Sequence, residues 1–351
     1  MKHIVCFGEI MLRISPWEKS DRLFQTSKFR IEPAGSESNV AVNLANLGLK
    51  SVFLSSIPKN ELGLTITRYL SKYGVNTSFL RKKENGRLGI FWNENGVDIR
   101  ASYVIYDREN SAFSITKMEE YEWEDIRKEC AWFHTSGISP ALTRGIYEIL
   151  KSALEDFAQN EIPISIDLNY RGKLWNWISG EKESQIPKLM EELCSKAYLI
   201  CGNEEDFQLS LGIKASSNSE DIIECYSSIA SQVFNKMPNV RYIAVSLRRS
   251  ISASVNDWSG LLFTTKEKEL KLYKGKNYHL SNIVDRVGAG DSFCAGIIYG
   301  LMKKKEDPQF IVNFAVTYSA LKHTIRGDVS EFSVKDIEKT MQMLGSGRII
   351  R

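Results

Sequence analysis

Short apolar runs alternate with longer stretches of helical spacing along most of the chain. The runs at residues 4–7, 52–55, 131–134, 164–167, 198–201 and 242–246 have the length and β-branched content of buried strands, and most end in Gly, Asn, Ser or Asp. Strands that are apolar throughout, separated by helices, predict a mainly parallel sheet covered on both faces. In such sheets ligands bind outside the carboxyl ends of the strands, where these polar residues fall. Two stretches break the pattern. Residues 13–33 are polar and irregular. Residues 88–114 alternate apolar with polar in Leu88-Gly-Ile-Phe-Trp92 and Ser102-Tyr-Val-Ile-Tyr106, joined by the turn Asn93-Glu-Asn-Gly96. Together they predict a small antiparallel sheet attached to the main domain, either a lid over a site or a flap that pairs two copies.

The sharpest chemical signal is Asp285-Arg-Val-Gly-Ala-Gly-Asp-Ser292, which runs directly into the apolar stretch 293–301. Gly288 and Gly290 around Ala289 let backbone amides approach an anion, and the helix that follows aims its positive end at the same point. Asp291 either caps that helix or accepts a proton from an alcohol attacking a phosphoryl group. The helix dipole is expected to hold its pKa down and make it a weak base.

Bulk composition narrows the partners. The 351 residues carry 46 basic and 43 acidic side chains, a net charge of +3, with 43% hydrophobic and 25% charged residues. That balance describes an ordinary globular protein and gives no electrostatic case for nucleic acid. The six cysteines show no CxxC spacing and sit in apolar runs, so they read as reduced and buried, and the four histidines form no zinc motif. No window is apolar enough to span a membrane and the start does not read as a signal peptide, so the expected compartment is the cytoplasm.

Other segments supply candidate partners for Asp291. No GxGxxG follows the first strand at Gly8 and no Walker loop occurs, which argues against a dinucleotide enzyme. The run 33–48 is a second Gly-containing turn opening a helix, with Asn39, Asn43 and Asn46 on one face. Asn39 either binds sugar hydroxyls or makes structural hydrogen bonds. Asp167, Asn169 and Arg171 alternate at a strand end and so are expected on one face. Arg171 and Arg108 are each suited to a carboxylate or phosphate, or to a surface salt bridge. The acidic run Glu204-Glu-Asp206 favours a helix start, or holds waters on magnesium.

Taken together, Gly8-Glu-Ile-Met-Leu-Arg-Ile-Ser-Pro16, residues 35–48, Tyr106-Asp-Arg108, Ser136-Gly-Ile-Ser-Pro-Ala-Leu142, Asp167-Leu-Asn-Tyr-Arg171 with Leu174-Trp175, and residues 285–296 resemble the ribokinase-type, or PfkB, carbohydrate kinases. Within them the 2-keto-3-deoxygluconate kinases are most similar. The resemblance implies a ribokinase-like three-layer α/β/α fold over residues 1–351, with a mostly parallel central sheet and a small antiparallel β-sheet lid inserted at about 12–34 and 87–115. It implies ATP-dependent phosphorylation of a sugar hydroxyl, that of 2-keto-3-deoxygluconate first and of fructose or another neutral sugar as the alternative. A sensor of sugar or nucleotide without catalysis is a second alternative.

By the same resemblance Asp291 is the general base, and the amides of Gly288, Ala289 and Gly290 form the anion hole. Gly35, Ser36, Asn39, Phe91, Tyr106, Arg108 and Arg171 face the sugar. Asn169, Arg171, Asn203, Ser246, Arg248, Gly288 and Gly290 face ATP. Mg2+ bridges the phosphates with Asp206 nearby, K+ is expected at the Asp285 loop, and two copies pair through the lid. Three positions depart from the family pattern: Ala34 for glycine, Phe91 for a residue bearing a hydroxyl, and Asp206 for glutamate.

Overall fold

All six runs read as strands lie side by side in one sheet. A computed structural model describes residues 2–215, 221–266 and 269–343. Its strands are β1 His3–Phe7, β2 Met11–Pro16, β3 Phe29–Ala34, β4 Ser51–Pro58, β5 Leu80–Lys83, β6 Gly89–Glu94, β7 Tyr103–Asp107, β8 Cys130–Ser136, β9 Ile164–Asp167, β10 Leu199–Gly202, β11 Tyr242–Ser250, β12 Asn256–Lys266, β13 Glu269–Lys274 and β14 Tyr278–Leu280. Among the described residues the main sheet has ten strands in the order β13-β12-β11-β10-β9-β8-β1-β4-β5, with β14 also pairing β12. From β11 across to β5 every pairing is parallel, and β12 to β14 add an antiparallel edge. The runs 4–7, 52–55, 131–134, 164–167, 198–201 and 242–246 are its contiguous centre. The edge strands gave no comparable signal, because a strand such as Glu269-Leu-Lys-Leu-Tyr-Lys274 faces solvent on one side and carries charge there.

Both faces of the sheet are buried, which is why the central strands are apolar at every position. In β1, Val5 and Phe7 join a core built with the helices Trp123–Glu129, Arg144–Gln159, Lys182–Cys194 and Ile222–Lys236. Ile4 and Cys6 point the other way, to the helices Ser36–Asn46, Glu61–Lys72, Ala289–Lys303, Pro308–Lys322 and Val334–Met343. Each fully buried Phe or Ile contributes about 1.5–3 kcal/mol, so two such layers make the sheet a stiff platform for its loops. The cysteines are buried, as their surroundings predict.

A second sheet, in the order β3-β2-β6-β7, lies beside the first. Its hairpins β2–β3 and β6–β7 are antiparallel and meet through a parallel pairing of β2 with β6. Residues 13–33 supply most of β2 and β3, as the small sheet requires, with the irregular stretch 17–28 between them. Their polar look comes from side chains such as Arg13, which is 1% exposed and buried in an ionic cluster below the sheet. Likewise Asn93 and Glu94 are strand residues of β6, so the connection to β7 is residues 95–102 rather than a tight turn at 93–96. None of the helices in the described residues is long and apolar enough to cross a membrane.

Candidate active site

Strand β1 pairs β8 on one side and β4 on the other, and the chain leaves it in opposite directions at that point. Above the carboxyl ends of β1 and β8 to β11, roofed by the second sheet, lies a cavity of about 730 Å3. This is the switch-point crevice in which open α/β sheets bind ligands. Alternation along the lid strands puts Met11, Phe91, Asn93, Val104 and Tyr106 on its underside, facing the cavity.

Asp291 lies at the cavity floor, 8% exposed, in the first turn of the helix Ala289–Lys303. Ser36 donates its hydroxyl to Oδ1 at 2.8 Å, and Asn39 donates its amide to Oδ2 at 2.7 Å. Asn169 in turn donates to the Ser36 hydroxyl at 3.2 Å. The expected low pKa does not survive burial. Desolvation outweighs the bonds from Asn39 and Ser36, and with the charges of Asp328 and Glu37 it lifts the carboxyl to about 7. A helix dipole acts with only about half an elementary charge, and the cost of removing a carboxylate from water exceeds what that attraction returns. Asn39 thus orients Asp291, while Asn43 and Asn46 bond to Ser292 and to the Ser330 carbonyl in purely structural roles.

The two glycines before Asp291 answer to different constraints. Gly288 has φ +79°, and a side chain there would collide with the backbone of Asp328, so packing alone requires glycine. Gly290 has no atom within 4 Å of where its Cβ would be, and it lines the cavity. No packed neighbour asks for glycine there, and the space it leaves opens into the cavity. The amide of Ala289, expected in the anion hole, donates instead to the Arg286 carbonyl at 3.3 Å. Those of Gly288, Gly290 and Asp291 have no partner among the described residues. At a helix start these are the donors left for a ligand.

On the lid side the cavity brings together Gly35, Ser36, Phe91, Tyr106, Arg108 and Arg171. Ala34, the departure from glycine, packs against Met11 and Phe91. Arg108 is not a free cation: its Nε donates to Glu9 Oε2 at 2.9 Å and its Nη2 pairs with the same oxygen, both side chains buried. Glu9 Oε1 is left without a partner. Sequence reasoning missed Glu9, since nothing local links it to a residue 99 positions away. It also missed Glu37, a buried carboxylate that accepts from the Ser136 and Ser139 hydroxyls at 2.7 and 2.8 Å and ties the strand end of β8 to the helix bearing Asn39.

Strand β9 ends at Asp167, so alternation does not carry Asn169 and Arg171 onto one face with it. Asn169 takes a left-handed φ of +36°, and this bend, rather than strand geometry, returns it to Ser36. Arg171 is exposed and donates to the Tyr170 carbonyl. Asn203, Ser246 and Arg248 line the opposite end of the cavity with Arg286. Burial and the charge of Arg248 lower the pKa of Arg286, whose Nη2 donates to the Ala253 carbonyl.

The carboxylates proposed for the two cations both have partners within the protein. Asp206 closes a capping box with Asn203 at the start of the helix Glu204–Leu211: Oδ2 accepts from the Asn203 amide at 3.1 Å and Oδ1 from the Tyr170 amide at 2.9 Å. Each oxygen thus holds one backbone amide, and Asp206 serves as a helix cap at the edge of the cavity. Asp167 is the better donor for magnesium. It is buried, faces the cavity, accepts a single side-chain hydrogen bond among the described residues, from the Asn169 amide at 3.5 Å, and has its pKa raised by burial and by Asp206 and Asp291. One carboxylate suits an ion that keeps most of its shell as water and phosphate. Among the described residues no group of three or more His, Cys, Asp or Glu side chains could hold a metal. At the Asp285 loop, carboxylate Oδ2 pairs with Arg13 at 2.8 Å, Oδ1 accepts from the Val287 amide at 3.1 Å and the carbonyl accepts from Lys322 at 2.9 Å, so each oxygen expected to face K+ already has a donor of the protein's own.

Comparison with known proteins adds to this geometry. Residues 1–238 match the family described as pfkB family carbohydrate kinase. A 2-dehydro-3-deoxygalactonokinase of Haloferax volcanii is 27% identical over 97% of this chain and 96% of its own length. A 2-dehydro-3-deoxygluconokinase of Bacillus subtilis is 27% identical over 85% of this chain and 82% of its own. The crystal structure of a 2-dehydro-3-deoxygluconokinase from Thermotoga maritima superposes with a TM-score of 0.89 at 39% identity, covering 97% of this chain and all of that one (100%).

Proposed function

The chain belongs to the pfkB family of carbohydrate kinases, and from that premise we propose that it transfers the γ-phosphoryl group of ATP to the 6-hydroxyl of 2-keto-3-deoxygluconate. The observation that carries the reading is the Asp291 carboxylate, held by Ser36 and Asn39 beside the unpartnered amides of Gly290 and Asp291 itself. Asp291 takes the proton of the attacking hydroxyl as the oxygen bonds to phosphorus and ADP leaves. A carboxyl with a pKa of about 7 is well matched to that task near neutral pH. The helix-start amides, with Arg248 and Arg286, meet the charge that spreads over the transferring phosphoryl oxygens. Asn203, Ser246 and Asn169 line the nucleotide side, and Gly35, Asn39, Phe91 and Tyr106 the sugar side. Asp167 would hold magnesium brought with the nucleotide, which neutralises phosphate charge.

Arg108 and Arg171 at one cavity support an acidic sugar. The pairing of Arg108 with Glu9 favours one specific second reading, a neutral ketose such as fructose, because the pair presents no net charge. Phosphorylation assays with 2-keto-3-deoxygluconate, its galactonate epimer, fructose and ribose distinguish them. Preference for either acid supports the first reading, and preference for fructose or ribose replaces it.

The lid also supports pairing of two copies. Ile31, Ile14, Trp92 and Ile105 form one row across its outer face, with Ile31 61% and Ile105 44% exposed. Light scattering of the protein and of an Ile31→Lys, Ile105→Lys variant tests this: a dimer that the double change converts to monomer is expected.

A further inference from the structure

Lys322 ends the helix Pro308–Lys322 with its side chain fully buried, and its ammonium donates to the Asp285 carbonyl at 2.9 Å. Arg13, reaching down from the lid, lies 2.8 Å from the Asp285 carboxylate and 2.5 Å from that of Asp328. Asp328 also packs its backbone against Gly288. Arg13 therefore bridges two carboxylates while Lys322 holds the Asp285 carbonyl, in a buried ionic cluster beneath the helix start that carries Asp291, with the carboxylate of Glu32 at its edge. Burial pulls the Lys322 pKa down, and the charges of Asp285 and Asp328 pull it back up.

The family resemblance placed a monovalent cation at this loop. Such an ion is held by backbone carbonyls and carboxylates stripped of water. Here the carbonyl already receives an ammonium and the carboxylate a guanidinium. A further cation would have to enter a dry site beside an ammonium and a guanidinium that already occupy these oxygens, against both their repulsion and its own loss of water. The residues present do not fit the ion.

We propose that Lys322 is a tethered substitute for a monovalent cation, a positioning residue whose ammonium holds the Asp285 carbonyl, and through it the backbone to Gly290, so that turnover needs neither K+ nor Na+. The role rests on the kinase reading above. Lys322 lies outside the cavity lining and acts through the loop it holds.

Initial rates with ATP and 2-keto-3-deoxygluconate in tetramethylammonium chloride, against the same ionic strength of KCl or NaCl, test the native protein directly. Equal rates are expected; a several-fold rise with K+ or Na+ overturns the proposal. In Lys322→Ala the vacated space and freed carbonyl should admit K+: kcat falls at least about tenfold in tetramethylammonium and recovers in KCl. Lys322→Met, which fills the space with an apolar chain, should fall and not recover. A Lys322→Ala variant with unchanged kcat and KM refutes the role. If no sugar is phosphorylated, the kinase reading fails separately, and calorimetric ATP binding with thermal melts still read the lysine. K+ should then raise the melting temperature and ATP affinity of Lys322→Ala only; the same response in the native protein counts against the proposal.

Discussion

Asn39 donates its side-chain amide to the Asp291 carboxylate at 2.7 Å across 252 residues of sequence. The bond joins the first turn of one helix to the first turn of another, at the place where cavity, free amides and carboxylate meet. Replacing Asp291 with Asn keeps the shape and removes the proton acceptor. We expect turnover to fall by about 10²-fold or more with ATP binding little changed. Near-normal kcat in Asp291→Asn would falsify the role of base.

The pH profile follows from the same carboxyl. With a pKa of about 7 in the folded protein, the base form is gained as pH rises, so kcat/KM should climb through about pH 7 and level off above it. A profile flat from pH 5 to 8 argues against Asp291 as the titrating group.

Stability should move the opposite way. A folded pKa raised above the unfolded value means that the stabilising contribution is complete below the ordinary carboxylate range, and is lost as pH rises through about 7. At pH 8 the ionised form opposes folding by up to roughly 4 kcal/mol, at about 1.4 kcal/mol per pH unit. Asp291→Asn should therefore melt higher than the native protein at pH 8, with the gap closing toward pH 4.

Gly288→Ala and Gly290→Ala should separate packing from catalysis. The first forces a side chain into a left-handed position against Asp328, and a loss of stability of at least about 1 kcal/mol is expected. The second meets open space, so its melting temperature should be unchanged while kcat/KM drops by about 10²-fold, the scale of a lost anion-hole donor. Full activity in Gly290→Ala means that no ligand approaches there.

Arg108→Leu strands Glu9 as an unpaired buried charge, which costs about 3–5 kcal/mol. Adding Glu9→Gln should restore most of that stability. If Arg108 also recognises a sugar carboxylate, KM for 2-keto-3-deoxygluconate stays high in the double variant. Recovery of KM along with stability would assign Arg108 to packing alone.

Much of the site was legible because its signals are local. Glycines before an Asp at the head of an apolar helix, and Asn residues on one helical face, are patterns in adjacent positions. Residues 12–34 were legible as lid but the strand β2 within them was not, because Arg13 reads as surface charge until its partners at 285 and 328 are known. Asp206 was legible only as one of two alternatives, a helix start or a holder of metal-bound water, and its cap and its bond to the Tyr170 amide become visible only in space.

Sequence by itself determined the parallel core, the glycine-flanked helix start at residues 288–291 and the family, since periodicity, backbone freedom and motif spacing are properties of neighbouring residues. Tertiary structure alone decided that Asp291 carries a raised pKa, that Arg108 is neutralised by Glu9, and that Lys322 stands where a free cation was expected. Each depends on burial and on a charge supplied from a distant part of the chain. Desolvation and Coulomb energies are set by position in space, which no local pattern encodes.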